Sequence, residues 1–221
     1  HAYRLQQIRT LLANSVATGT PGEVRDAIGQ AHELSGDVQT TLAAYETYRQ
    51  AAGLTYTNQT ISRNLKDVAA LIHGGFPTRV FYTGFGGFDT HGDQGAGTGT
   101  QATLLGRLDD ALASFSADMK NMGQWDNVVV AVFTEFGRVN FENGSNGTDH
   151  AQSFSMLLAG GAVNGGTYGP DITDAQLAGE GVPYGVDFRD VWRELLADHL
   201  GANPAPIFPE TQPTNTVLGV V

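Results

Sequence analysis

Apolar residues recur at helical spacing through the first third of the chain. Leu5, Ile8, Leu11 and Leu12 form one stripe, and Ile61, Leu65, Val68 and Ile72 form another. Between them Glu23 to Gln50 is low in glycine and rich in helix formers, so residues 1–75 read as a mainly helical segment. The pattern changes at Phe76-Pro77. Arg79-Val80-Phe81-Tyr82-Thr83 reads as a strand that runs into the glycine-rich stretch from Gly84 to His91. Leu104, Leu105, Leu108, Leu112, Phe115 and Met119 line one face of a helix that stops at Gly123. Asn127 to Phe133 is a continuous apolar run of the kind that parallel sheets bury on both faces.

A third short strand is expected at Ser155 to Ala159. The last helix starts after Asp187 as its cap and buries Phe188, Val191, Trp192, Leu195 and Leu196. The proline-rich tail after Gly201 is expected to lie over the surface. Strand, helix and strand in that order predict an α/β domain over residues 76–221, with a mostly parallel sheet flanked by helices.

Composition narrows the function classes. A formal net charge of −11, with only 12 Lys and Arg in 221 residues, leaves no basic stripe to displace counterions from phosphates, so nucleic acid is not an expected partner. No stretch reaches the roughly 20 apolar residues that span a bilayer. The chain has no cysteine, which excludes disulfides and thiolate metal sites and leaves oxygen and imidazole as the available ligands. Its 29 glycines cluster around 84–87, 92–99 and 160–166, which directs attention to loops.

Three polar clusters fall at or near the carboxyl ends of the predicted strands, where open α/β sheets bind ligands. Asp89 and His91 are two apart, so an extended backbone sends both side chains to one side, where they could close on one cation. The plainer reading is a capped glycine turn with a solvated histidine. Glu135 follows the buried run directly, and a carboxylate at that depth needs a metal, an arginine or several donors. Arg138, three residues on, is its alternative partner. Asp149 and His150 are adjacent and can meet at one site only if the backbone turns there, which Gly147 permits. Asp198-His199 shows the same pair inside the last helix and is not counted as a site. No G-x-S-x-G elbow, P-loop or dinucleotide fingerprint is present.

The strings Gly86-Gly87-Phe88-Asp89-Thr90-His91, Phe133-Thr134-Glu135-Phe136-Gly137-Arg138 and Glu142 to His150 resemble a bacterial family known as domain of unknown function fifteen-hundred-and-one. The resemblance runs from about Arg79 to Leu200 and implies membership of the alkaline phosphatase and sulfatase superfamily. It implies export through a twin-arginine signal, and so a periplasmic or secreted location. By position, Asp89 and His91 resemble that superfamily's first Asp and His ligands, Glu135 its strand-end Asp and His150 its later histidine. Asp149 is carried as a further candidate ligand and Arg138 as a candidate for holding a substrate anion.

Phe136 replaces the usual second ligand at the strand end, which departs from a two-zinc pattern. The superfamily's nucleophile, Ser, Thr or Cys, and a further Asp belong to an amino-terminal half that is expected upstream of residue 1. The resemblance thus implies a divalent metal (zinc, manganese, magnesium or calcium) and hydrolysis of a phosphate or sulfate ester, small or polymeric. The alternative is a noncatalytic exported protein that keeps the fold for binding or assembly.

Overall fold

The structure is a computed structural model that describes residues 21–208 and 217–221, the side chains of 21–28, 31 and 32 excepted. The stripe from Leu5 to Leu12 lies outside the described residues. The chain divides into two compact units, one comprising residues up to Gly53 with Ala70–Phe76, the other Leu54–Ala69 with Pro77–Val221. One division between the units falls between Phe76 and Pro77, and residues 54–69 belong with the larger unit.

In the smaller unit, helix α1 (Pro21–Ala51) buries Tyr45, whose ring meets His73 edge-on at 5.8 Å, and Tyr48 stacks on the same imidazole at 4.6 Å. Helix α2 (Thr60–His73) passes from the larger unit into the smaller. Its buried Ile61, Leu65 and Ala69 follow the helical period that the sequence shows.

The larger unit carries the predicted central helix as α3 (Thr100–Asn121). Leu104, Ala111, Phe115 and Met119 are buried on it, and the chain leaves the helix through Gly123 at φ +65°, a left-handed turn that glycine adopts without steric cost. Asp118 is fully buried on the same helix and accepts a hydrogen bond from the Tyr56 hydroxyl at 2.9 Å.

Four short strands follow: β1 (Val129–Val132), β2 (Gly137–Arg138), β3 (His150–Ala151) and β4 (Leu157–Gly160). β1 pairs antiparallel with β4, Val129 opposite Gly160 and Val132 opposite Leu157, and β2 pairs antiparallel with β3, Arg138 opposite His150. Among the described residues no strands pair in parallel. The segment Arg79–Thr83, read as the first strand of a β-α-β unit, forms no ladder. Its Val80 and Tyr82 are 68% and 84% exposed, so no packed layer covers that side of the segment. The third strand is displaced by two residues from its expected start, because Leu157 rather than Ser155 stands opposite Val132.

After the short helix α4 (Asp174–Leu177), helix α5 (Phe188–Glu194) begins as expected, with the Asp187 side chain accepting from Arg189 N at 2.9 Å. It widens into a π turn over Leu195–His199, with Leu200 N donating to Leu195 O. Val191, Leu195 and Val220 form a buried cluster against Val129, Ala131 and Leu158, so one face of the β1–β4 sheet packs on α5 and on the end of the chain. That placement corrects the expected surface tail for residues 217–221. Val220 is 2% exposed, and the buried Glu194 carboxylate accepts the backbone N–H groups of Leu218 and Val220. Two main-chain donors and an apolar slot outweigh hydration of a short valine-rich segment.

Candidate metal centre

The centre is built from two loops held side by side. Asp93 N donates to Ser145 O at 3.0 Å, Gln94 N to Asn146 O at 2.9 Å and Thr148 N to Thr90 O at 3.3 Å. The two backbones touch at Gly147. A Cβ there would lie 2.3 Å from the His91 carbonyl carbon and 2.4 Å from Thr90 O, so only glycine fits. The expected turn at this position is made instead by Asn146, at φ +58°, and Gly147 serves close approach.

Asn143 organises the second loop. Its Nδ2 donates to His91 O and to Asp149 Oδ1, both at 3.0 Å, while its Oδ1 accepts from Ser145 N at 2.9 Å and Gly147 N at 3.1 Å. That uses both donor hydrogens and both acceptor sites of the amide. Gln94 Oε1 accepts from the Thr90 and Thr148 hydroxyls at 3.2 and 2.7 Å, a second bridge between the loops. Neither Asn143 nor Gln94 stands out as a candidate in the sequence. The turn-rich Asn143-Gly144-Ser145-Asn146-Gly147 run is the signal that marks Asn143, as a residue that folds its side chain back on the following amides.

Thr90 is buried, and its neighbours Asp89 and His91 project together into solvent, as the i, i+2 spacing requires. Asp89 Oδ1 lies 3.1 Å from His91 Nε2 and 2.8 Å from His150 Nε2, and the two imidazole nitrogens are 3.1 Å apart. These three atoms form the one group of potential metal ligands found among the described residues. A tetrahedral ion with bonds of about 2.0–2.1 Å separates its ligands by about 3.3 Å, so each donor needs to move outward by only a few tenths of an ångström to accept one.

The protons around this triangle are constrained. Asp149 Oδ1 accepts from His91 Nδ1 at 2.9 Å, which places the ring hydrogen on Nδ1 and leaves Nε2 of the neutral ring as a lone pair. That lone pair, the Asp89 oxygen and His150 Nε2 then meet at one point, an arrangement that a shared proton or a cation satisfies. Asp149 therefore stands behind His91 as its orienting carboxylate rather than in the triangle. The hydrogen bond from His150 first, then the neighbouring His91 imidazole and a hydrogen bond from Arg138, hold the Asp89 carboxyl below the usual aspartate range. Asp149 is lowered as well, by its bond to His91 and then by Asn143.

Glu135 does not join the group. β1 ends at Val132, and Glu135 is exposed beyond it, so no burial cost calls for a partner. Arg138 turns to the 88–89 segment, with its Nη2 3.1 Å from Asp89 Oδ1. Phe136 stacks on the His150 ring at 4.0 Å with the planes 12° apart, which fixes that imidazole from the side.

The lowered carboxyls have a consequence for acid stability. A group whose folded pKa lies below its unfolded value contributes stability above the unfolded value and loses it as the pH falls through the folded one. The metal-free Asp149→Asn variant should therefore lose less stability than the wild type between about pH 5 and about pH 3. Urea unfolding midpoints across that range provide the check; parallel slopes would remove the Asp149–His91 bond as a source of acid sensitivity.

An exposed Asp/His/His triangle, backed by a second carboxylate and set on two glycine-pinned loops, defines a protein with a candidate cation centre. The chain belongs to the family described as "Protein of unknown function (DUF1501)", whose profile matches residues 7–212. No curated protein and no solved structure matches the chain. No helix among the described residues is long and apolar enough to cross a membrane.

Proposed function

We propose that this chain carries the metal site of a metal-dependent hydrolase of phosphate or sulfate esters, of the alkaline phosphatase and sulfatase type, exported to the periplasm or beyond. The observation that carries the reading is the convergence of Asp89 Oδ1, His91 Nε2 and His150 Nε2 to within 2.8–3.1 Å of one another. Three protein ligands leave a position open, the arrangement of catalytic rather than structural sites. Two imidazoles and one carboxylate suit zinc best, with manganese next; magnesium and calcium favour sets richer in oxygen. A divalent cation would supply Lewis acidity toward an ester oxygen and offset the charge of an anionic substrate on an acidic protein. The superfamily and the location rest on the order of the sequence motifs.

A second reading has its own support. The side chains of Asp89, His91 and His150 are 60%, 46% and 45% exposed, and the cavity of about 450 Å³ on the same loops is lined by residues such as Asp93, Glu142 and Thr148 rather than by the three ligands. An open cation site suits a noncatalytic protein that binds a polymer or joins an assembly.

The intact protein, loaded in turn with zinc, manganese, magnesium and calcium, should be assayed on phosphomonoesters, phosphodiesters and sulfate esters. Turnover above the metal-free background with at least one ion is expected. Bound metal without turnover on any ester would replace the hydrolase by the noncatalytic reading.

A further inference from the structure

Arg138 faces inward on the centre. Its side chain is 19% exposed, against 60% for Asp89, which it touches. Nη1 donates to Thr148 O at 2.5 Å, and Nη2 donates to Phe88 O at 2.6 Å and to Asp89 Oδ1 at 3.1 Å. Phe88 immediately precedes the first ligand, Asp89, and Thr148 lies two residues before the last, His150. One guanidinium thus spans the two segments that supply all three ligand atoms.

Two further contacts tie the same residue to His150. Arg138 stands opposite His150 in the β2–β3 ladder, and its guanidinium lies 4.8 Å from the centroid of the Phe136 ring that stacks on the His150 imidazole. A planar fork reaches several acceptors in fixed directions at once, which a single ammonium group cannot do. A substrate anion, in contrast, needs donors turned toward solvent, and these point to main-chain carbonyls and to a ligand carboxylate.

We propose that Arg138 is the positioning residue of the centre: it closes residues 88–91 on residues 148–150 and aims the Asp89 oxygen, leaving contact with the anion to the cation. This rests on the cation reading above. It departs from the anion-holding role that the sequence resemblance implies for the same side chain.

The test compares wild type, Arg138→Lys and Arg138→Ala by calorimetric titration with zinc and manganese, and then with inorganic phosphate on the metal-loaded proteins. Cation affinity is expected to fall about 10- to 100-fold in Arg138→Ala, the usual effect of removing a partner that orients a ligand. Arg138→Lys, which keeps the charge and guards against simple unfolding, should recover little of that loss. Phosphate affinity per loaded site should stay within about twofold, well under the tenfold that 1.4 kcal/mol represents. Unchanged cation affinity with weakened phosphate binding would make Arg138 the anion contact and overturn the proposal. Should the wild type take up no cation, the metal reading fails by itself, and amide hydrogen exchange of residues 88–91 and 147–150 decides this one. Faster exchange in Arg138→Ala supports positioning, and unchanged protection overturns it.

Discussion

Elemental analysis of the purified protein is expected to find about one divalent cation per chain, and the Asp89→Ala/His91→Ala double variant is expected to find none. The double substitution removes two of the three converging donors and leaves His150 alone. A single imidazole on an exposed strand end cannot hold an ion that competes with water for every open position. The fold should tolerate the change, because both side chains are about half exposed and outside the apolar core. A urea unfolding curve on the same samples separates a lost ligand from a lost fold. Equal metal content in both proteins would place the ion elsewhere, and no metal in either would favour the noncatalytic reading.

Deleting residues 217–221 is expected to cost about 2.5–6 kcal/mol of stability, from roughly 1.5–3 kcal/mol for unburying a core valine and roughly 1–3 kcal/mol for leaving a buried acceptor without donors. The residues concerned are Val220, which sits against Val191 and Leu195, and Glu194, which accepts from Leu218 N and Val220 N. Denaturant midpoints of the deletion and of Glu194→Ala, compared with wild type, separate the two contributions. A loss below about 1 kcal/mol for the deletion would show that the end of the chain lies on the core without supporting it.

Helices were the legible part of this sequence because their signal is local. Ile61 and Leu65 of the first stripe and Leu104, Phe115 and Met119 of the second are buried along α2 and α3, whereas Leu105 of the expected face is 50% exposed, and Asp187 caps α5 through its own side chain. Strand pairing depends on partners far away in the sequence. An apolar run such as Val128 to Phe133 announces burial without naming its neighbour, and the neighbour proves to be antiparallel β4. Arg79–Thr83 has strand-forming residues and no strand partner among the described residues.

The centre divides in the same way. Asp89 and His91 are legible because alternation along an extended backbone is a local rule, and His150 was reached through the order of motifs. Nothing in the spacing of Asp149 shows that it stands behind His91, since that depends on where Asn143 pulls the loop. Glu135 was read as buried because the apolar run precedes it, but the strand ends at Val132 before reaching it. Phe136 reads as a missing ligand, and its ring instead braces His150.

The ligands also lie far apart along the polymer. Asp89 and His150 are separated by 61 positions, yet their side chains meet. Bringing together the ends of a flexible segment of that length carries an entropy cost on the order of 4 kcal/mol. Helix α3 and strand β1 lie within the segment, and both pack apolar side chains against the core. An ion gripping both ends would act as a reversible cross-link, opposing the escape of the intervening polypeptide into unfolded conformations. Resistance to heat and proteolysis would then track the free concentration of the ion, gaining about 1.4 kcal/mol for each tenfold rise above its dissociation constant.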